Sequence, residues 1–189
     1  MEGLWEKKKM KGNELKGKKI GIVGFGNVGK RVAEISYALG MKVSIYSSYF
    51  NSIKDNFKNY DSSDLTNILS NSDIISFHCK PNKDGSSIIT KDELNKMKKN
   101  CILVNTARGG LIDETDLIQA LKNNLIKGAA LDVFKKEPLE ESELFNMENI
   151  ILTPHIAAST DEAQIVVAEM VANQFCEYFK NNNVVNSIT

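Results

Sequence analysis

Short apolar runs recur along this chain, separated by segments whose apolar positions follow a helical spacing. The runs Lys19 to Val23, Lys42 to Tyr46, Asp73 to Phe77, Cys101 to Asn105, Gly128 to Val133 and Asn149 to Leu152 are mostly rich in Ile and Val and lack polar alternation. That pattern predicts strands covered on both faces, as in a parallel sheet. Between them the spacing predicts helices over Asn27 to Leu39, about Asp64 to Leu69, Lys91 to Lys98 and Glu114 to Lys122, with a long one over Ala163 to Lys180 after the last strand. Thr90 followed three residues later by Glu93 reads as a capping box, and Asp113 stands where an N-cap belongs. Asn51 to Asp64 and Asn181 to Asn183 read as polar loops rather than domain linkers.

A βαβαβ pattern run twice predicts an α/β fold of the Rossmann type, a doubly wound parallel sheet flanked by helices. Right-handed crossovers and a reversal of strand order then leave a crevice at the carboxyl ends of the strands, where ligand chemistry collects.

The length of 189 residues suits one such domain. Lys plus Arg number 24 and Asp plus Glu number 24, so no surplus of charge exists to attract nucleic acid, a membrane surface or an acidic polymer. Cys79, Cys101 and Cys176 are far apart and lack metal-ligand spacing, which predicts reduced, buried thiols and no metal. The first residues are basic but carry no apolar core of signal-peptide length. No stretch approaches the roughly 18 apolar residues of a membrane span. The expected location is cytoplasmic.

The run Lys-Ile-Gly-Ile-Val-Gly-Phe-Gly-Asn-Val-Gly ends a strand and opens a helix, with Gly24, Gly26 and Gly29 in GxGxxG spacing. The first glycine permits a tight turn, the second lets backbone approach a pyrophosphate, and the third allows close helix–strand packing. The N–H groups of Asn27 and Val28 then face the phosphates at the positive end of the helix. An ordinary glycine turn is the alternative for such a motif alone, and the flanking strand and helix favour dinucleotide binding. The fingerprint also asks for Asp or Glu at the end of the second strand, and Ser47 stands there instead. Serine removes the repulsion that excludes a 2′-phosphate. No Arg follows at once, however, and the nearest basic side chain downstream is Lys54. Both NAD and NADP therefore stay open, with dual or weak discrimination favoured over strict NADP use.

Three further segments end strands with charged or ionisable residues: Val-Asn-Thr-Ala-Arg-Gly-Gly-Leu-Ile-Asp-Glu, Ala-Ala-Leu-Asp-Val-Phe-Lys-Lys-Glu-Pro-Leu and Ile-Leu-Thr-Pro-His-Ile-Ala-Ala. On a doubly wound sheet Arg108, Asp132, Glu137 and His155 would share the ligand-facing edge. Taken in order, Gly24 to Gly29, Ala107-Arg108-Gly109-Gly110, Leu131-Asp132-Val133-Phe134 with Glu137-Pro138, and Thr153-Pro154-His155 resemble the D-isomer-specific 2-hydroxyacid dehydrogenase family. The resemblance runs from about Glu14 to Ala163 and is somewhat closer to phosphoglycerate dehydrogenases, which serve serine biosynthesis, than to formate or D-lactate dehydrogenases.

The resemblance implies an oxidoreductase that interconverts a D-2-hydroxy acid and its 2-oxo acid with NAD. Arg108 would hold the substrate carboxylate, for which a planar guanidinium fork is suited. His155 would exchange a proton with the carbonyl oxygen, and Glu137 would be its carboxylate partner, favouring the imidazolium. Asp132 matches a position near the nicotinamide. Cys79, Pro81, Thr106, Ala107, Ala157 and Ala158 would flank the cofactor. His78 reads as a hydrogen-bonded structural histidine rather than a second catalytic one.

Family members insert this domain into a second, substrate-binding one. Residues 1–18, with Gly3-Leu4-Trp5, match a connecting segment, residues 19–180 the nucleotide domain, and residues 181–189 a return crossing. A chain of this kind is expected to bind dinucleotide and to turn over slowly or not at all. The resemblance also implies a homodimer formed through the nucleotide domain, although packing on their own sheet explains the apolar faces of the helices equally well. Among substrates 3-phosphoglycerate is the first guess; glyoxylate, hydroxypyruvate and D-lactate fit the same residues. Two other classes share the glycine loop: C-terminal-binding-protein corepressors, which dock peptides, and adenosylhomocysteinase, which has no need of the Arg, Glu and His set.

Overall fold

The computed structural model describes residues 11–186. It divides into two units, Met1–Pro154 and His155–Thr189. The first holds a seven-stranded sheet: β1 (Lys19–Val23), β2 (Lys42–Tyr46), β3 (Asp61–Ser62), β4 (Ile74–Phe77), β5 (Ile102–Asn105), β6 (Gly128–Leu131) and β7 (Ile150–Leu152). Every pairing is parallel, and the order is β3-β2-β1-β4-β5-β6-β7, so the winding reverses between β1 and β4. This is the doubly wound arrangement that the apolar runs predict.

The crossovers carry α1 (Asn27–Ala38), α2 (Phe50–Ile53), α3 (Leu65–Asn71), α4 (Lys91–Leu94) and α5 (Glu114–Lys122). Small residues let α1 lie close to the sheet, since it buries Gly29, Ala33 and Ser36. Side chains fix the starts of α3, α4 and α5. Asp64 accepts from the Asn67 N–H at 2.8 Å and Asp113 from the Asp116 N–H at 3.0 Å, while Thr90 and Glu93 close a capping box. One core cluster gathers Ile20, Ile22, Val43, Ile45 and Phe50, and the other Ile75, Phe77, Leu103, Leu117 and Leu131. The second unit contains α6 (Asp161–Asn181), capped by the Thr160 hydroxyl at 3.1 Å from the Ala163 N–H.

Three details depart from the sequence pattern. The stretch read as a polar loop from Asn51 contains most of α2, a 3-10 turn at Lys54–Asn56 and β3. Its aromatic residues are the reason: Phe50 is buried, and with Phe57 and Tyr60 it packs on Phe25. Helix α4 ends at Leu94 rather than near Lys98, because Lys96 and Met97 bond three residues back, to Glu93 and Leu94, and Met97 turns into the core. The three cysteines are free as expected, but only Cys101 is buried; Cys79 is half-buried and Cys176 is exposed on α6, a helix that buries no residue. The expectations placed on Gly3, Leu4 and Trp5 fall outside the described residues.

Register turns this sheet into a site. Tyr46, Val23, Phe77, Asn105, Leu131 and Leu152 are partners across successive strands. The residues that follow them, Ser47, Gly24, His78, Thr106, Asp132 and Thr153, therefore leave the sheet along one carboxyl edge.

Candidate active site

The glycine loop shows three different demands at its three glycines. Gly24 has φ +98°, and a Cβ on it would sit 2.5 Å from the His78 carbonyl oxygen. A Cβ on Gly29 would lie 2.2 Å from the Gly24 carbonyl oxygen. At Gly26 a Cβ would meet nothing within 4 Å. The first and third positions are thus closed by the protein itself, whereas the second opens on empty space beside the start of α1. No side chain caps that helix, and its first turn carries no acidic residue. An uncapped positive helix end beside bare backbone fits a pyrophosphate.

The loop rests on the aromatic cluster described above. Rings of Phe50 and Phe57 meet Phe25 edge-on at 4.7 and 5.1 Å, Lys30 lies 6.0 Å from the centroids of both Phe25 and Phe57, and the Tyr49 hydroxyl donates to the Phe25 carbonyl. The Tyr46 carbonyl accepts from the Gly24 N–H at 2.8 Å. Ser47, the next residue, is half-buried and lies directly beside the loop, where the fingerprint places its ribose contact. Tyr49 and Phe50 were not singled out from sequence; the aromatic spacing 49/50, 57 and 60 inside a polar stretch was the available signal.

At the end of β4, His78 is half-buried and within 2.9 Å of the Ser76 hydroxyl, and burial pushes its imidazole below the usual range. Cys79 follows, its thiol pushed up by burial, and Pro81 is exposed.

Beyond β5 the chain makes a tight loop carrying Thr106, Ala107 and Arg108. Arg108 is exposed, and its guanidinium donates to the Ala107 carbonyl at 2.6 Å. Gly109 then presses against the next loop: a Cβ there would fall 1.8 Å from the Phe134 carbonyl oxygen. That second loop is held by Glu137, whose carboxylate accepts from the Phe134 N–H at 2.9 Å, and by Glu114, which accepts from the Lys135 N–H at 2.6 Å. The structure thus brings the Arg108 loop and the Glu137 loop into backbone contact. Asp132 is 3% exposed and accepts from the Thr153 hydroxyl at 2.5 Å, which joins β6 to the end of β7. Thr153 was quoted within its motif without a role.

His155 opens the second unit and is exposed, with φ +54°. A non-glycine residue in the left-handed region costs about 1 kcal/mol. Ala157 and Ala158 follow in the exposed segment before α6.

Residues 1–157 match the family profile described as D-isomer specific 2-hydroxyacid dehydrogenase, NAD binding domain. The chain belongs to this family. The D-3-phosphoglycerate dehydrogenase of Archaeoglobus fulgidus is 39% identical over 188 residues, covering 99% of this chain and 36% of that protein. The glyoxylate reductase of Thermococcus litoralis is 40% identical over 185 residues, covering 96% of this chain and 56% of that one. Among solved structures, an acyclic imino acid reductase in complex with NADPH and D-Arg superposes with a TM-score of 0.87 at 33% identity, covering 100% of this chain and 59% of that one. The family's NAD-binding domain is accordingly what the chain contains, and it spans between about a third and three fifths of these relatives.

Proposed function

We propose that this domain is the nucleotide-binding part of an oxidoreductase that interconverts a D-2-hydroxy acid and its 2-oxo acid, with 3-phosphoglycerate the first candidate substrate. One observation carries the reading: the bare backbone at Gly26 and the interlocked Arg108 and Glu137 loops leave the sheet along one edge. Gly24 to Gly29 and the N–H groups of Asn27 and Val28 would hold the pyrophosphate, and Cys79, Pro81, Thr106, Ala107, Asp132, Ala157 and Ala158 would flank the rest of the dinucleotide. When bound, the nicotinamide supplies or accepts the hydride. Arg108 would orient the substrate carboxylate through two parallel N–H bonds, His155 would give a proton to the carbonyl oxygen or take it back, and Glu137 would be its carboxylate partner, favouring the imidazolium.

Because a serine replaces the ribose-binding carboxylate, the domain would accept NADPH as well as NADH. The NADPH complex of the related imino acid reductase is consistent with that. A homodimer and a cytoplasmic location are part of the same proposal, the dimer supported by the family likeness; among the described residues no helix is long and apolar enough to cross a membrane. Calorimetric titration of the purified chain with NADH and NADPH in parallel, with Arg108→Ala as a folding control, tests the core of the reading. Micromolar binding of either supports it; a folded chain that binds neither refutes it.

A further inference from the structure

Asn105, the last residue of β5, is 2% exposed, yet it carries a primary amide at a position where its strand neighbours are apolar. An amide in such a place has a cost that only hydrogen bonds offset. Both of its ends are used on one short loop. The Asn105 Oδ1 accepts from the Ala107 N–H at 3.1 Å, and the Asn105 Nδ2 donates to the Arg108 carbonyl at 3.0 Å. Its own backbone carbonyl accepts from the Asp132 N–H at 2.9 Å. One buried residue therefore ties down the Arg108 loop and also the first residue beyond β6.

The chemistry of the two bonds dictates the side chain. The loop offers a donor at Ala107 and an acceptor at Arg108, so the clamp must present an acceptor and a donor together. Among side chains of this length only asparagine does so. Aspartate would face the Arg108 carbonyl with a second acceptor, and leucine would leave both backbone groups without a partner. The peptide on which Arg108 rests lies between the two clamped groups, because its guanidinium donates to the Ala107 carbonyl at 2.6 Å. On the far side Gly109 is pinned against the Phe134 carbonyl. The backbone that carries Arg108 is thus fixed from both directions while its guanidinium stays exposed.

We propose that Asn105 is a positioning residue: its amide sets the backbone of Arg108 so that the guanidinium meets a substrate carboxylate already oriented. The substrate half of this statement rests on the function proposed above; the clamp itself does not. Pre-organisation of this kind raises affinity by removing the ordering cost at the moment of binding.

Hydrogen exchange followed by NMR on the purified chain, and titration of its NADH complex with oxalate, test the two halves separately. In the unmutated chain the Ala107 amide exchanges at least about tenfold more slowly than in an unstructured peptide, since a hydrogen bond must open first. In Asn105→Ala that protection is lost, oxalate binds about tenfold more weakly, and NADH affinity falls no more than about threefold. In Asn105→Asp the Ala107 amide stays protected, because its acceptor survives, while oxalate binding still falls. An Ala107 amide that exchanges freely in the unmutated chain overturns the clamp without any variant having to fold. Oxalate binding that tracks NADH binding in both variants reduces Asn105 to a structural residue and overturns the proposal. Failure of the unmutated NADH complex to bind oxalate, with the amide protected, refutes the substrate reading and leaves the clamp standing.

Discussion

The glycine loop separates folding from binding at two positions only three residues apart, and two alanine substitutions should show it. Gly29→Ala places a Cβ 2.2 Å from the Gly24 carbonyl oxygen, a contact that requires the two backbones to part by roughly 1 Å. Neither partner is a flexible side chain, so the cost is that of overpacking, about 1–3 kcal/mol. For a domain of this size that lowers Tm by about 2–12 °C. Gly26→Ala meets nothing within 4 Å, and the φ of −79° is one that alanine adopts. Loss of glycine at the N-cap costs about 0.5–1 kcal/mol, and the stiffer unfolded chain returns about 0.4–1 kcal/mol. Melting should therefore shift by less than about 2 °C. The same methyl fills the space a pyrophosphate would occupy and forces out at least one charge-assisted bond to backbone N–H. That is worth about 1.5–3 kcal/mol, or about tenfold to a hundredfold in NADH affinity. Thermal melting by circular dichroism and calorimetry with NADH, run on both variants, decide the matter. The reasoning fails if Gly26→Ala melts as low as Gly29→Ala, or if it binds NADH as tightly as the parent.

Other substitutions probe the neighbouring groups. Ser47→Asp restores an acceptor for the ribose hydroxyls and a charge against a 2′-phosphate, so the ratio of NADH to NADPH affinity should rise about tenfold or more; an unchanged ratio would remove Ser47 from the cofactor site. Thr153→Val leaves the 3%-exposed Asp132 carboxyl without its hydroxyl donor and should cost about 1–3 kcal/mol in urea unfolding, and an unaltered midpoint would contradict the bond. Burial pushes the Cys101 thiol up to about 12, with Asp73 adding to it against Lys98. Iodoacetamide at pH 8 should therefore label exposed Cys176 and spare Cys101, as peptide mass spectrometry would show. The Asp73 carboxyl is raised by burial but held below its usual range overall by the Lys19 N–H, the Lys98 ammonium and the Asn100 amide. A lowered carboxylate stabilises the fold above the unfolded value near pH 3.9 and loses that contribution as pH falls through the folded value. Asp73→Asn should accordingly lower Tm at pH 7 and converge with the parent near pH 2; an equal gap at both pH values would show that the charge is not the cause.

The strands were legible because their residues are buried or half-buried over most of β1, β2 and β4 to β6, so burial wrote itself into the sequence as mostly apolar runs. The caps at Asp113 and Thr90 were legible for a different reason: they are local, a side chain reaching the amides of the following turn. What escaped was set by tertiary contact. Four residues of helix at Phe50–Ile53 and two of strand at Asp61–Ser62 have no periodicity of their own and form because Phe50, Phe57 and Tyr60 close over Phe25. Asn105 escaped for the same reason, since a lone polar residue ending an apolar run is silent until the loop beyond it folds back. The charged residues of the three motifs were visible, but how Arg108 and Glu137 are held was not, because each bonds a main-chain group, the Ala107 carbonyl and the Phe134 N–H.

Asp73 and Arg108, at opposite edges of the sheet, use charge in opposite ways, and the difference follows from what each must do. At the amino edge Asp73, just before β4, gathers the N–H of Lys19 at the start of β1, the Lys98 ammonium and the Asn100 amide just before β5. Carboxylate and ammonium meet there, and the strand starts are tied together. At the carboxyl edge Arg108 leans on a carbonyl and Glu137 accepts from a backbone N–H. A guanidinium that rests on a neutral carbonyl can exchange it for a carboxylate at little cost, whereas one locked in an ion pair would first have to break it. Readiness of Arg108 for an anionic ligand is thus served by bracing its loop with backbone and with a neutral clamp, Asn105, while the ion pair of Asp73 with Lys98 ties the strand starts at the other edge.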